Sequence, residues 1–369
     1  MSKTHFSIGG AELKKVITQI SPMFKGGFDV PTILFNVEDK ITISSTNGDA
    51  YTKIIFDCED IQEKGSFVVQ GDIFESVIKQ ASPSDKIEII EEGDERLSIL
   101  IGRFKYQTSL LEKHEGAFFA PEFDKANSFT LGAQDLKTAI SSVSGCIDQA
   151  KAHLNCVMMH TDAKKEGKIF IVATDGMRLG VAERDCKANV AVPNLMIPKK
   201  SAEFILSMLG EMQGDITISF TDNMIQLSTG SIDYTSKLLD TAFPKYQSVV
   251  PTDEANNKIL DVKVKDLQDA LKKTFAMAKI TFRIKMAIKK DSIELSCDDN
   301  GTIANGSVDA TFTEGEQLDI VCNYRLLMEI LDKIDNTDVR FQFADSNTPI
   351  LIRAVGDDSV KYVFMPFVS

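Results

Sequence analysis

The chain has 369 residues, of which 43% are hydrophobic, and its formal net charge at pH 7 is −13. This length can bury two or three hydrophobic cores, and the sequence contains no apolar run near the roughly 20 residues that a membrane-spanning helix needs. The first residues form no signal-peptide core and the six cysteines include no CxxC pair. We therefore expect a cytoplasmic protein with reduced thiols and without a disulfide framework.

An apolar strand followed by a lysine-bearing amphipathic helix occurs three times along the chain. Leu13, Leu136 and Leu267 hold the same place in the three copies and lie 123 and 131 positions apart. A second strand-to-helix unit falls between these copies, near residues 67–74, 195–206 and 318–327. Because this spacing has the size of a whole domain, it predicts three copies of one domain, at 1–126, 127–254 and 255–369.

Between the helices, apolar and polar residues alternate as they do in the strands of antiparallel sheets. Examples are residues 97–101, 215–220 and 339–343, and turn residues such as those at 221–223 separate neighbouring strands. The sequence therefore predicts an α+β fold in which each repeated domain has two helices against antiparallel sheets.

The distribution of charge matters more than the acidic total, which would ordinarily disfavour nucleic acid. Lysines cluster on or beside the predicted helices, whereas acids crowd strand and loop segments such as 57–60 and 91–95. If all helices faced one side, that side would be basic. The alternative is that these lysines belong to ordinary solvated helix faces.

Two clusters raise the question of an enzyme. Thr174, Asp175 and Arg178 lie near a strand end, but the dipeptide at 175–176 is typical of a tight hairpin turn, which explains the aspartate better than acid–base work does. The sequence has no phosphate-cradling glycine loop, no GxSxG and no HExxH. We therefore expect a protein that is not an enzyme and has no cofactor.

A metal site is the second candidate. His153, Cys156 and His160 have a ligand-like spacing, but these positions do not share one face of the strand predicted there. We therefore expect no bound metal.

Four segments, in order along the threefold repeat, carry a resemblance to one family: Ala173–Leu179, Ile197–Lys200, Lys237–Pro251 and Lys361–Ser369. Together they resemble the bacterial DNA sliding clamps, the β subunits of DNA polymerase III, over essentially the whole chain. The resemblance implies a head-to-tail homodimer that closes into a ring around double-stranded DNA, with helices lining the hole and sheets forming the outer wall. It also implies a processivity factor that binds DNA without regard to sequence and tethers the replicative polymerase, the clamp loader and other proteins with a clamp-binding motif. The alternative is a ring or scaffold protein of related fold that does not act on DNA.

The resemblance also implies three sets of site residues. The partner-peptide cleft would lie between the second and third domains and contain Leu154, Thr174, Gly176, Met177, Arg178, Leu179, Pro244, Val249, Val363, Met365, Pro366 and Phe367. A peptide with two or three Leu or Phe anchors would bind there with roughly micromolar affinity. An alternative for the C-terminal apolar residues is that they only close the last strand. The DNA-facing residues would be Lys25, Lys151, Lys199 and Lys200, and the dimer seam would join Phe104 and Tyr106 to Phe275 and Ile280.

Overall fold

The computed structural model describes residues 3–24, 30–93, 95–113, 118, 122–124, 126–188, 190–210, 212–276, 282–313, 317–335 and 337–367. Within these ranges the chain forms six α-helices and 27 strands, and their order repeats three times. The first copy runs β1 (His5–Gly9), α1 (Gly10–Ile20), β2 (Thr32–Val37), β3 (Ile41–Thr46), β4 (Ala50–Phe56), β5 (Asp60–Glu63), β6 (Gly65–Gln70), α2 (Gly71–Ile78), β7 (Lys86–Glu92), β8 (Arg96–Ile101) and β9 (Phe104–Ser109).

The second and third copies have the same order of strands and helices. The second contains β10 (Ser128–Gly132), α3 (Ala133–Val143), β11 (Cys156–Thr161), β12 (Lys168–Thr174), β13 (Arg178–Asp185), β14 (Lys187–Ala188), β15 (Leu195–Pro198), α4 (Lys199–Leu209), β16 (Asp215–Phe220), β17 (Met224–Ser228) and β18 (Ile232–Lys237). The third contains β19 (Lys258–Lys263), α5 (Val264–Thr274), β20 (Arg283–Ile288), β21 (Ser292–Asp299), β22 (Thr302–Asp309), β23 (Thr311–Phe312), β24 (Leu318–Asn323), α6 (Tyr324–Leu331), β25 (Asp338–Phe343), β26 (Ile350–Ala354) and β27 (Val360–Phe364).

The helices form where apolar residues recur at the helical period. In α1, Leu13, Ile17 and Ile20 are buried, and each such side chain contributes about 1.5–3 kcal/mol through the apolar surface it removes from water. Helix α6 is in addition capped by Asn323, whose side chain accepts hydrogen bonds from the backbone N–H groups of Arg325 and Leu326. The predicted pairs of helices are thus present in each repeat.

The chain divides into two compact units, and the first consists of residues 1–137, 186–190 and 200–239. It contains a nine-stranded sheet in the order β14-β10-β16-β17-β18-β4-β3-β2-β6 and a five-stranded sheet in the order β5-β1-β7-β8-β9. The nine-stranded sheet is continuous because β18 pairs with β4 in antiparallel register, from Ile232 opposite Ile54 to Ser236 opposite Ala50.

The second unit consists of residues 138–185, 191–199 and 240–369. Its nine-stranded sheet has the order β15-β11-β12-β13-β27-β26-β25-β19-β23, and its four-stranded sheet has the order β22-β21-β20-β24. Here β13 pairs with β27, from Arg178 opposite Phe364 to Ala182 opposite Val360. Each nine-stranded sheet therefore joins four strands of one repeat to five strands of the next. The three predicted domain boundaries stay a prediction, because the compact units follow these shared sheets and not the repeats.

The described residues also show whether the chain has a membrane-spanning helix, disulfide bonds or a group of metal ligands. No helix in the described ranges combines the length and the apolar character that crossing a membrane requires. All six cysteines are free thiols, and Cys146, Cys156, Cys297 and Cys322 are buried. The same ranges contain no group of three or more His, Cys, Asp or Glu side chains placed to hold a metal ion.

Candidate partner-binding site

The tight turn between β12 and β13 is built by Asp175. Its Oδ1 atom accepts hydrogen bonds from the backbone N–H groups of Met177 (2.8 Å) and Arg178 (2.9 Å), and Gly176 has a φ of 88°. Only glycine adopts this backbone conformation at no steric cost. The turn leaves the side chain of Met177 41% exposed. The aspartate serves the turn, as the sequence indicated.

The buried side chain of Arg178 anchors this hairpin through hydrogen bonds and ion pairs. Its side chain is only 5% exposed, its Nε atom lies 3.0 Å from Oδ2 of Asp175, and Nη1 donates to the carbonyl of Leu326 at 3.1 Å. The other terminal nitrogen donates to the carbonyl of Gly145 and to the carboxylate of Glu329. A guanidinium that donates in several directions holds the hairpin, the end of α3 and α6 together.

The C-terminal segment continues from β27 along the same hairpin. Leu179 lies opposite Val363 in the sheet, and beyond the strand the N–H of Met365 donates to the carbonyl of Met177 at 2.9 Å. The N–H of Phe367 then donates to the carbonyl of Val321 at 2.8 Å. Successive side chains of a strand point to opposite faces of the sheet, and both Val363 and Phe364 are buried, so both faces of the last strand are covered here. Both edges of this strand are paired as well, with β13 and β26.

The segment around Tyr246 is anchored by His160. The hydroxyl of Tyr246 lies 2.9 Å from Nε2 of His160, and both side chains are buried. Nδ1 of the same imidazole lies 3.0 Å from the carbonyl oxygen of Thr161. Since a carbonyl only accepts, Nδ1 carries the proton and Nε2 accepts from the tyrosine. The spacing of 86 residues between His160 and Tyr246 left no signal in the sequence, which pointed to this histidine only as a metal ligand.

The predicted cleft residues fall into two groups within the second unit. The buried group is Leu154, Thr174, Arg178, Leu179, Val363 and Pro366. The group open to solvent, wholly or in part, is Gly176, Met177, Pro244, Val249, Met365 and Phe367. Hydrogen bonds and strand pairing bring the hairpin and the C-terminal segment together, and Val249 presents a side chain that is 51% exposed.

The predicted DNA-facing lysines have different surroundings. The ammonium group of Lys151 lies 3.3 Å from the carbonyl of Asp175 and 3.4 Å from a carboxylate oxygen of Asp148, at the hairpin turn. Lys199 is half-buried at the start of α4, and Lys200 beside it is exposed. Lys25 lies outside the described residues.

The predicted seam residues are also unlike one another. Phe104 on β9 is 69% exposed, and Tyr106 lines a groove of about 300 Å³ against α2. Phe275, by contrast, is buried, with its ring stacked 4.1 Å from that of Tyr324. Its place on the seam stays a prediction. Ile280 lies outside the described residues. Ile303 on β22, which the sequence did not single out, is 64% exposed.

The residues of this site lie in two segments that match domains of a known protein family. The central domain of the DNA polymerase III beta subunit, as a family model, matches residues 130–245, and the C-terminal domain of that subunit matches residues 247–368. The chain belongs to the family of bacterial DNA sliding clamps. Membership makes the protein a processivity factor of DNA polymerase III, as its resemblance to the family implied.

Individual sliding clamps agree with this assignment over their full length. The chain is 24% identical to the beta sliding clamp of Vibrio cholerae, with 98% of this chain and 99% of the relative covered, and 24% identical to that of Pseudomonas aeruginosa, with the same coverage. Among solved structures, the sliding clamp of Bartonella birtlesii bound to griselimycin has a TM-score of 0.90 at 24% identity, with both chains fully covered. The beta subunit of Thermotoga maritima has a TM-score of 0.89 at 23% identity, covering 99% of this chain and all of that one. The fold is thus that of a sliding clamp.

Proposed function

We propose that two copies of this clamp form a head-to-tail ring around duplex DNA and hold the replicative polymerase, the clamp loader and other partners through the surface around Met177. The protein would act in the cytoplasm and bind DNA independently of sequence.

The sheets support the head-to-tail dimer. In both nine-stranded sheets, the four-stranded half of one repeat meets the five-stranded half of the next, through β4 with β18 and through β13 with β27. By position in the repeat, β9 corresponds to β18 and β27, and β22 corresponds to β4 and β13. The five-stranded sheet ends in β9 and the four-stranded sheet ends in β22. Pairing of β9 from one copy with β22 of another would complete a third sheet of nine strands.

Both of these edges carry an exposed apolar side chain, Phe104 on β9 and Ile303 on β22. An unpaired edge with apolar residues favours association with another strand. The seam would therefore include Phe104, Tyr106 and Ile303, beside the predicted Phe275 and Ile280.

Ring closure explains how an acidic chain can act on DNA. A ring holds the duplex by enclosing it, so that a few weak phosphate contacts are sufficient and sliding stays possible. We propose that Lys25, Lys151, Lys199 and Lys200 supply such contacts.

The geometry around Arg178 supports a role without catalysis. The carboxylate of Asp175 is occupied by the N–H groups of its own turn and by the guanidinium of Arg178. Burial raises the pKa of the nearby Cys146 thiol to about 12, so this group stays protonated at neutral pH. None of these groups is placed to transfer a proton or attack a substrate.

The observation that carries the partner site is the hydrogen bond from Met365 to Met177. It ties the C-terminal segment to the exposed hairpin turn above the buried pair of Leu179 and Val363. The result is an apolar surface on a rigid base, which suits a short peptide with a few apolar anchors.

Binding of a fluorescent peptide tests this site. The probe is the C-terminal segment of the replicative polymerase of the same organism, and fluorescence polarisation measures its dissociation constant. Met177→Asp should weaken binding about tenfold or more, because an anchor loses about 1.5–3 kcal/mol of apolar burial.

Val355→Asp is the matched control. Val355 lies in the same unit and is 38% exposed, close to the exposure of Met177. This variant should bind the peptide as the wild type does. Equal affinity of all three proteins would remove the hairpin from the partner site.

A further inference from the structure

Two arginines beside the proposed cleft differ from the other arginines of the second unit, whose guanidinium groups donate to carboxylates or to backbone carbonyls. Arg178 and Arg340 pair with carboxylates, Arg353 does so as well, and Arg184 donates to backbone carbonyls. Within the described ranges, the guanidinium groups of Arg283 and Arg325 have no hydrogen bond or ion pair to a protein oxygen atom, although the backbone N–H of Arg325 donates to Asn323. The chain has 54 acidic residues and 41 basic ones, yet no acidic side chain of the described residues pairs with either guanidinium group.

Each of these guanidinium groups lies on an aromatic ring. The central carbon of Arg325 is 3.8 Å from the ring centroid of Phe282, and that of Arg283 is 4.7 Å from the centroid of Phe367. Stacking of this kind is attractive and holds the guanidinium flat. The N–H groups of a guanidinium point outwards in its own plane, so stacking leaves them free to bind a carboxylate through two hydrogen bonds.

The ring under Arg325 packs against other rings, and the backbone of Phe367, under Arg283, is hydrogen-bonded to Val321. Phe282 packs against Phe275 with 6.2 Å between centroids, and Phe275 stacks on Tyr324 at 4.1 Å. The backbone joins the two arginines as well, because Arg283 lies opposite Asn323 in the pairing of β20 with β24. Both cations are thus positioned before any ligand binds, which lowers the entropy cost of binding.

The pair lies next to the proposed partner site. Arg283 stacks on Phe367, whose N–H donates to Val321, and two residues earlier Met365 is bonded to Met177. Both arginines are exposed to solvent. A peptide whose apolar anchors occupy the surface at Met177 would therefore pass within reach of a cation when it continues past Phe367.

We propose that Arg283 and Arg325 form a carboxylate-binding subsite that extends the cleft and selects partner peptides with an Asp or Glu beside their apolar anchors. This inference rests on the proposed function, since it assigns specificity to the same peptide site. The carboxylate of the peptide would accept hydrogen bonds from the guanidinium N–H groups, which no acidic side chain of the described residues occupies.

A panel of short fluorescent peptides tests the subsite. Each peptide has a Leu and Phe anchor pair, with Asp placed in turn at every flanking position, and each has an Asn twin of equal shape. For the best pair, the wild type should bind the Asp peptide about fivefold more tightly than its Asn twin at low salt, and added salt should reduce this ratio.

The ratio of the two dissociation constants separates specificity from structure. In R283Q/R325Q the ratio should fall to about one, since glutamine keeps a planar group over each ring but removes the charge. A merely structural role would weaken both peptides equally and leave the ratio unchanged. Lys290→Gln removes a charge from an exposed residue two positions beyond the far end of β20 and should keep the wild-type ratio.

Three outcomes would overturn the proposal. A wild type that binds the Asp and Asn peptides equally has no carboxylate subsite, although its cleft stands. A preference for Asp that persists in R283Q/R325Q assigns the selection to other residues. If the wild type binds neither peptide, both the cleft and its extension are refuted.

Discussion

Buried polar side chains in this clamp are stabilised by hydrogen bonds and ion pairs. Arg178 is buried yet donates to Asp175, Glu329 and two backbone carbonyls, so its charge is not left unpaired. Losing one partner of such a buried charge typically costs 3–5 kcal/mol, which makes the turn at Met177 a rigid feature. The imidazole of His160 has a comparable role under Tyr246 and is neutral.

His160 should make the stability of the clamp depend on pH. Burial lowers the pKa of His160 below its ordinary 6.5, and the hydrogen bond to Thr161 only partly offsets this. The unfolded chain therefore takes up a proton near pH 6.5 that the folded protein does not, and the free energy of unfolding falls as the pH drops from 6.5 towards the lower folded pKa. Denaturant titrations at several pH values should show a shallower acid slope for His160→Gln than for the wild type.

His153 provides the control for this measurement, since its side chain is exposed. His153→Gln should keep the wild-type slope, because this side chain takes no part in the buried pair of His160 and Tyr246. Identical slopes for all three proteins would show that His160 does not carry the acid sensitivity.

At the scale of elements, the decisive feature is what each strand edge meets. β4 and β13 are covered by β18 and β27 of the following repeat, whereas the corresponding strand β22 has no such neighbour among the described residues of its own chain. The same holds for β9 at the other end of the repeat series. When each repeat pairs an edge strand with the next repeat, the first and the last repeat of the series each keep one unpaired edge strand. These strands are β9 and β22.

Phe104→Asp should therefore separate the two copies. A charge on β9 would have to be desolvated in the completed sheet, so we expect the sedimentation mass to fall from that of a dimer to that of one chain at micromolar concentration. Val30→Asp is the control, because Val30 is 57% exposed and lies outside the two edges. Loss of the dimer in both variants, or in neither, would contradict the proposed seam.

At the scale of the whole molecule, a net charge of −13 opposes ordinary electrostatic binding to a polyanion such as DNA. Topological binding does not need a net attraction between protein and DNA. A closed ring leaves the duplex only at a DNA end or by opening. Its retention on DNA therefore does not depend on a high affinity for the phosphates. This is the physical basis on which an acidic protein can serve as a processivity factor.

A loaded clamp should consequently remain on circular duplex DNA and be lost from a linear duplex of the same sequence. Gel filtration of labelled clamp with each DNA measures the retained fraction after loading, and cutting the circle at a single site should release the protein. Equal loss from the circular and linear forms would favour a scaffold that does not encircle DNA.

The sequence by itself determined the local features of this protein. Helical periodicity placed the buried face of α1, strand alternation placed β16 and β25, and the Asp175–Gly176 pair predicted the hairpin turn. These features depend on residues within a few positions of one another, so they can be read in one pass along the chain. The threefold repeat was visible for the same reason.

Only the tertiary structure decided which distant segments meet. The pairing of β13 with β27, the contact of Arg178 with Glu329 across 151 positions and that of His160 with Tyr246 all depend on how the chain returns on itself. Exposure was decided there too, since Phe275 and Val363 are buried by neighbours that lie far away in the sequence, whereas Ile303 is not. Local chemistry sets the conformation of a segment, but burial and register are properties of the partner it packs against.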